Sequence, residues 1–237
     1  MSAQSMLEQL LKSGLSMLEG KPGNAAPAGA SRSDPGWGKF GAGAATGGAL
    51  GLLLGSKGGR RIGGKALKYG SVAALGAMAF KAYNHWQAQQ AQAVAPAIGA
   101  GVPAAAALPP PRTVNLLPAP EVEQHSRGML KAMIAAAKAD GHLDERERGL
   151  VEAELSRLEA DPTMRRWFEE ELRRPLDPAE VAKAASTPEL AAEMYLASLL
   201  VADETVFMER AYLDELARQL RLPEGLKVEL ERQVLAA

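Results

Sequence analysis

The chain has 237 residues, 47% of them apolar, which is ordinary for a protein that folds around a hydrophobic core. Its 27 basic and 28 acidic residues nearly cancel, which argues against a protein that neutralises nucleic-acid phosphates. The absence of cysteine excludes disulfides, thiolate metal sites and a cysteine nucleophile.

The first predicted element is an amphipathic helix over residues 1–19. Apolar residues recur there at spacings of three and four, and Gly20 and Pro22 end the pattern. Such a stripe packs on a neighbouring helix or a partner, or lies on a lipid surface. We expect packing on a protein neighbour. The apolar positions are Met6, Leu7, Leu10, Leu11, Met17 and Leu18.

A glycine-rich segment of membrane type follows a linker. Residues 20–36 are rich in Gly, Pro, Ala and Ser, as is typical of a linker, and residues 37–86 form the segment. No charged residue occurs from Phe40 to Gly55. Regularly spaced glycines are costly in a soluble helix but let membrane helices pack closely. The glycines at a spacing of four are Gly43, Gly47, Gly51, Gly55, Gly59 and Gly63.

The membrane span that this segment predicts is marginal, because its uncharged run is shorter than the roughly 20 residues that cross a bilayer. A second apolar stretch, from Tyr69 to Phe80, is shorter still. A single crossing would place the following domain in the cytoplasm, whereas a full hairpin would place it outside. We favour a single crossing or a shallow hairpin, and the alternative is a soluble flexible segment or glycine-packed hairpin. The basic residues between the stretches are Lys57, Arg60, Arg61, Lys65 and Lys68, and the aromatic residues suited to the headgroup level are Trp37, Tyr69, Tyr83 and Trp86.

An all-α domain is predicted for the rest of the chain. Residues 87–120 alternate Ala, Gln and Pro and are predicted to form an extended linker. Residues 121–237 follow a helical period throughout and predict a compact bundle of about seven helices. The predicted boundaries are amino-terminal caps at Asp144, Asp177 and Thr187 and prolines at Pro162 and Pro223.

Two segments of this domain resemble each other. Ala139 to Glu147 reads ADG-x5-E, and Ala202 to Glu209 reads AD-x5-E. In each, an acidic residue closes one helix and a glutamate opens the next. The repetition indicates a duplicated helix-turn-helix unit packed face to face, in which the two acidic turns could meet.

These patterns resemble the TerB-like domains of bacterial tellurite-resistance proteins. In addition, GALGLLLGSKGGRRIGGKALKYG at residues 48–70, followed by KAYNHWQ and later by ERAYLDELA at residues 209–217, is similar to the YebE-type inner-membrane family, whose function is not defined. The resemblance covers most of the chain outside the linkers. It implies a bacterial inner-membrane protein, and with a single crossing or shallow hairpin we expect its carboxy-terminal domain in the cytoplasm.

The resemblance also implies that acidic residues of the two turns hold a divalent cation. By motif position these are Asp140 and Glu147 in the first turn and Asp203 and Glu209 in the second. Carboxylates suit Ca²⁺, Mg²⁺ or Mn²⁺ better than soft metals. Related second turns carry a further acidic residue where this chain has Thr205, so we expect weaker binding here.

The same residues also have structural explanations. Gly141 is a natural helix stop, Asp144 and Glu147 form a capping box, and Glu209 can pair with nearby arginines. No EF-hand loop precedes Glu147, and His142 is expected to be an incidental turn histidine. Spacing alone therefore leaves both interpretations open.

No enzyme is expected, because the sequence lacks nucleophile, phosphate-loop, zinc and dinucleotide motifs, and His85 and His125 have no matching partners in it. One hypothesis is a membrane-anchored module that senses or sequesters a divalent cation in metal or envelope stress. The other is an interaction scaffold that oligomerises through the glycine zipper or docks a protein partner, with purely structural acidic turns. Both expect membrane lipid, and neither expects nucleic acid.

Overall fold

The computed structural model describes residues 2–18, 71–94, 110–139, 162–202 and 206–236. Across these ranges all regular secondary structure is helical, which confirms the predicted all-α class for the described part of the chain. The helices are α1 (Ala3–Leu18), α2 (Val72–Val94), a 3-10 helix η1 (Val114–Leu116), α3 (Ala119–Ala137), α4 (Pro162–Arg173), α5 (Pro178–Ala182), α6 (Pro188–Leu199), α7 (Phe207–Gln219) and α8 (Glu224–Ala236).

Side-chain caps fix two helix starts at the positions that the sequence predicts. The Asp177 carboxylate accepts a hydrogen bond from the Ala179 amide at 2.9 Å and so begins α5. The Thr187 hydroxyl accepts one from the Leu190 amide at 3.1 Å and so begins α6. Each cap satisfies an amide that has no partner within its helix.

Helices α3 and α6 pack together at the centre of the bundle and run in the same direction. In their amino-terminal halves His125 Nδ1 lies 2.5 Å from Glu193 Oε2. Further along both helices, Ser198 Oγ lies 3.4 Å from the Ala132 carbonyl oxygen. Because both residue numbers rise together, the carboxyl ends of α3 and α6 lie at the same end of the bundle.

Helix α1 packs on this central pair, as expected for an amphipathic helix with a protein neighbour. Its apolar stripe is buried mainly against α3. The Glu123 carboxylate of α3 accepts hydrogen bonds from the Ala3 amide at 2.9 Å and the Gln4 amide at 3.3 Å. An acceptor from another helix therefore satisfies the first amides of α1. The buried residues of this stripe are Ala3, Met6, Leu7, Leu10 and Leu11.

The structure of α2 corrects the prediction that the second apolar stretch contacts the membrane. Instead of facing lipid, its apolar residues enter the same core and pack against η1, α6 and α8. Tyr83 and Trp86, predicted at headgroup level, form an edge-to-face pair with ring centroids 5.4 Å apart, and Trp86 lies against Gly225 of α8. The buried residues are Val72, Leu75, Met78, Ala79 and Ala82.

The structure also corrects both predicted boundaries of the linker 87–120. Helix α2 continues to Val94, so the boundary predicted at residue 86 falls inside it. Before α3, Thr113 is 0% exposed and Val114 is 3% exposed. The packed unit thus extends beyond the predicted range of 121–237, because α1, α2 and η1 contribute to one core.

None of the described helices is long and apolar enough to cross a membrane. The linker 20–36, the glycine spacing from Gly43 to Gly63, and Trp37 lie outside the described residues. For these the membrane interpretation stays a prediction.

Candidate functional site

Of the four predicted cation ligands, the structure describes Glu209 alone. Glu209 lies in the first turn of α7 and is 5% exposed. Asp140, Glu147 and Asp203 lie outside the described residues. Within the described ranges no group of three or more His, Asp or Glu side chains could hold a metal ion. The cation site therefore stays a prediction.

The residues that lead into the two acidic turns are described, and both are buried. Ala139 is 3% exposed and follows the carboxyl end of α3, whereas Ala202 is 1% exposed and follows α6. Since α3 and α6 are parallel, the chain enters both turns from the same end of the bundle.

Lys138 joins this end of α3 to α4. Its ammonium group donates hydrogen bonds to the carbonyl oxygen of Glu171 at 3.1 Å and to that of Arg174. These carbonyls belong to the last turn of α4 and the residue after it, where a cation is favourable because helix carbonyls lack partners there. Lys138 thereby fixes the end of α3 immediately before the first acidic turn.

A buried carboxylate occupies the amino-terminal half of the α3–α6 pair. Glu193 is 0% exposed, and its Oε1 accepts a hydrogen bond from the Val114 amide at 2.5 Å. Its Oε2 lies 2.5 Å from Nδ1 of His125, which is 4% exposed. Groups on three segments thus meet at one carboxylate, and a buried carboxylate requires such partners.

Glycine permits α2 to approach the same cluster. A Cβ atom at Gly76 would lie 2.6 Å from Val114 Cγ1 and 2.7 Å from the Asn115 backbone nitrogen. The η1 segment is therefore held between α2 on one side and Glu193 on the other.

Sequence reasoning missed this cluster, and the expectation that His125 has no partner is wrong. The available signal was in the sequence, because Glu193 is the one charged residue from Leu190 to Leu200 and the rest of that predicted helix is apolar except for Ser198. A glutamate inside such a helix has no solvent-facing side to occupy, so a buried donor had to be sought for it.

His85 likewise has a carboxylate partner that the sequence did not indicate. Its Nδ1 lies 3.2 Å from Glu229 Oε2, and the Glu229 side chain is 5% exposed. Burial alone would raise the pKa of Glu229, but hydrogen bonds from Arg232 and Gln233 hold it below its ordinary value. Glu229 is thereby stabilised as a carboxylate where α2 meets α8.

Tyr212 lies one helical turn beyond Glu209 on the same face of α7. Its hydroxyl is buried and has no hydrogen-bond partner among the described residues. Burial raises the pKa of Tyr212 well above its ordinary value.

A cavity of about 660 Å³ lies at the opposite end of α6 from the acidic turns. Tyr83, Lys183 and Arg221 supply its ionisable side chains, and the described residues that line it include no carboxylate or histidine. Hard cations prefer oxygen ligands, above all carboxylates, so this cavity is not a candidate cation site.

Comparison with known proteins gives a family and one relative. Residues 39–234 match the family described as "Protein of unknown function (DUF533)". The chain is also similar to the "Uncharacterized protein in ampR 5'region" of Yersinia enterocolitica, with 29% identity over 113 residues, which cover 48% of this chain and 81% of that protein. No solved structure matches. Because the family match spans most of the chain, the protein belongs to the DUF533 family.

Proposed function

We propose that the protein is a membrane-anchored helical domain that binds a divalent cation through Asp140, Glu147, Asp203 and Glu209. The observation that carries the proposal is the parallel packing of α3 and α6, whose carboxyl ends lead into the two acidic turns at one end of the bundle. The resemblance to TerB-like domains and the YebE-type family supports the same residues.

Chain geometry supports the convergence of the two aspartates. Asp140 directly follows Ala139, and Asp203 directly follows Ala202, and successive Cα atoms are about 3.8 Å apart. Each aspartate is therefore one residue away from a buried position at the same end of the bundle. Glu209, buried in the first turn of α7, supplies a third carboxylate close to this end. Carboxylates gathered in this way favour Ca²⁺, Mg²⁺ or Mn²⁺.

The packing of α1 and α2 supports a shallow hairpin as the form of membrane anchoring. These two helices flank residues 19–70, and both pack on the same bundle. A single crossing would place α1 and α2 on opposite sides of the bilayer, and α1 would then lose its burial against α3. A shallow hairpin returns the chain to the side that it left. Because the second apolar stretch packs in the core as α2, such a hairpin turns within the uncharged run from Phe40 to Gly55. The basic cluster between Lys57 and Lys68 then lies on the side of the bundle, which favours the cytoplasm.

Metal-dependent unfolding of the full chain tests the cation site. We expect detergent-solubilised protein, stripped of divalent metal, to gain thermal stability in a saturable manner with Ca²⁺, Mg²⁺ or Mn²⁺, because a ligand of the folded state stabilises that state. At a concentration of 100 Kd the gain would be about 2.7 kcal/mol. The double variant Asp140→Asn with Asp203→Asn should lose this gain.

The matched control removes two negative charges elsewhere. Glu170→Gln with Glu224→Gln changes exposed residues of α4 and α8, and this variant should keep the full metal response. An absence of response to every ion, or an equal response in both double variants, would reject the cation site. The interaction scaffold, with structural acidic turns, would then be the better hypothesis.

A further inference from the structure

Three consecutive apolar residues are exposed at the start of α7. Val206 is 38% exposed, Phe207 is 81% exposed and Met208 is 58% exposed. We call these three residues the apolar tip. Exposed single apolar residues are common, but adjacent large ones that contribute nothing to a core mark a surface that contacts something else.

The apolar tip lies beyond the carboxyl end of α6, and α2 begins toward that same end. Gly76 of α2 approaches Val114, whose amide binds Glu193 in the middle of α6. Further along α2, Tyr83 lines a cavity with Pro188 at the amino end of α6. Helix α2 therefore runs antiparallel to α6, and its first residues point toward the end of the bundle that carries the tip.

We infer that the apolar tip inserts into the surface of a lipid bilayer beside the membrane hairpin. This inference rests on the membrane anchoring proposed above, because the chain that leads from residues 19–70 into α2 returns to the bundle at the tip end. A hairpin anchored there brings this end of the bundle to the membrane. Apolar side chains at that end enter the region between headgroups and acyl chains, as apolar faces of interfacial helices do.

A second copy of the chain is a less suitable partner for the apolar tip than a lipid bilayer. Three side chains of this size offer on the order of 300 Å² of surface, because even a large aromatic residue buries only about 150–250 Å². A stable protein interface requires roughly 800 Å² from each partner. Insertion into lipid has no such minimum area, because the hairpin already holds the domain at the bilayer.

Site-specific fluorescence in the full chain tests the inference. Since the protein has no cysteine, Met208→Cys provides a single attachment site for an environment-sensitive nitrobenzoxadiazole label. In phosphatidylcholine vesicles we expect a blue shift of its emission and quenching by spin-labelled lipid. Leu116→Cys is the matched control, because Leu116 and Met208 are both 58% exposed. A second control, Val228→Cys, starts from a side chain that is 53% exposed. Both control labels should keep water-like emission.

Flotation of the same vesicles separates the two proposals. Protein that floats while the label at position 208 stays water-like would overturn tip insertion and leave the anchoring intact. Protein that does not float would overturn both. A blue shift at position 208 without vesicles, or equal shifts at positions 208 and 116, would also overturn insertion, because protein burial or nonspecific adsorption would then explain the signal.

Discussion

The two ends of the α3–α6 pair reverse the usual distribution of polar and apolar groups. Toward the amino-terminal end, Glu193 and His125 are buried, although ionisable groups normally face water. Beyond the carboxyl-terminal end, Phe207 and Met208 are exposed, although large apolar groups normally face a core. Both ends depart from the rule, and contacts among the described residues account for the first departure alone.

The difference between the two ends distinguishes residues that stabilise the fold from residues that we expect to contact the membrane. Glu193 joins α6 to α3 and η1, so its burial is explained by contacts within the fold. The apolar tip contributes to no described core cluster, so contacts among the described residues do not account for its composition. Substitutions at the two ends should therefore affect different measurements.

The largest loss of stability is expected from Glu193→Ala. The substitution leaves the Val114 amide and the His125 ring buried without their acceptor, and each buried group left unsatisfied costs about 1–3 kcal/mol. Urea unfolding of the full chain measures the loss. Glu193→Gln should lose less, because its amide oxygen still accepts one hydrogen bond.

Glu189→Ala is the control for that prediction, because Glu189 lies one turn earlier on α6 and is only half-buried. It should cost less than about 1 kcal/mol, as is usual for residues outside a buried network. A loss of similar size at both positions would mean that the buried cluster does not hold the central helices.

Gly76→Ala should give the next largest loss of stability, because it disturbs the packing of α2 on η1. The new methyl group would meet the Asn115 backbone, which cannot move without shifting η1. Overpacking of this kind costs about 1–3 kcal/mol, which exceeds the gain of roughly 1 kcal/mol from alanine in a helix. Ala77→Ser adds one atom to an exposed position of α2 and should be nearly neutral. A more stable Gly76→Ala variant would contradict the close packing of α2 on η1.

Local patterns predicted the helices and their caps well, because both depend on residues a few positions apart. The stripe from Met6 to Leu11 and the caps Asp177 and Thr187 are of this kind. The partners of such elements depend on contacts distant in sequence. Glu193 and Val114 are 79 residues apart, and no periodicity links them. This is why local patterns favour a membrane segment at the start of α2 and a linker at residues 110–118.

A smaller effect, on one helix, is expected from Glu123→Ala. Its carboxylate accepts hydrogen bonds from the first amides of α1, and loss of a side-chain cap costs about 0.5–2 kcal/mol. Hydrogen exchange should become faster in α1 and stay unchanged in α6. Glu121→Ala, which removes an exposed ion pair with Arg112, should leave exchange in α1 unchanged. Equal exchange in α1 for wild type and Glu123→Ala would show that the apolar stripe alone holds this helix.

The smallest effect on folding is expected at the apolar tip. Phe207→Ser removes a side chain that is 81% exposed, so the free energy of unfolding should change by less than about 0.5 kcal/mol. Leu213→Ser, on the same helix but 2% exposed, should cost several times more, about 2–5 kcal/mol. A loss above about 1 kcal/mol for Phe207→Ser would mean that Phe207 packs within the folded chain. An unchanged stability, combined with weaker lipid quenching of a label at position 208, would assign this end of the bundle to the membrane rather than to the core.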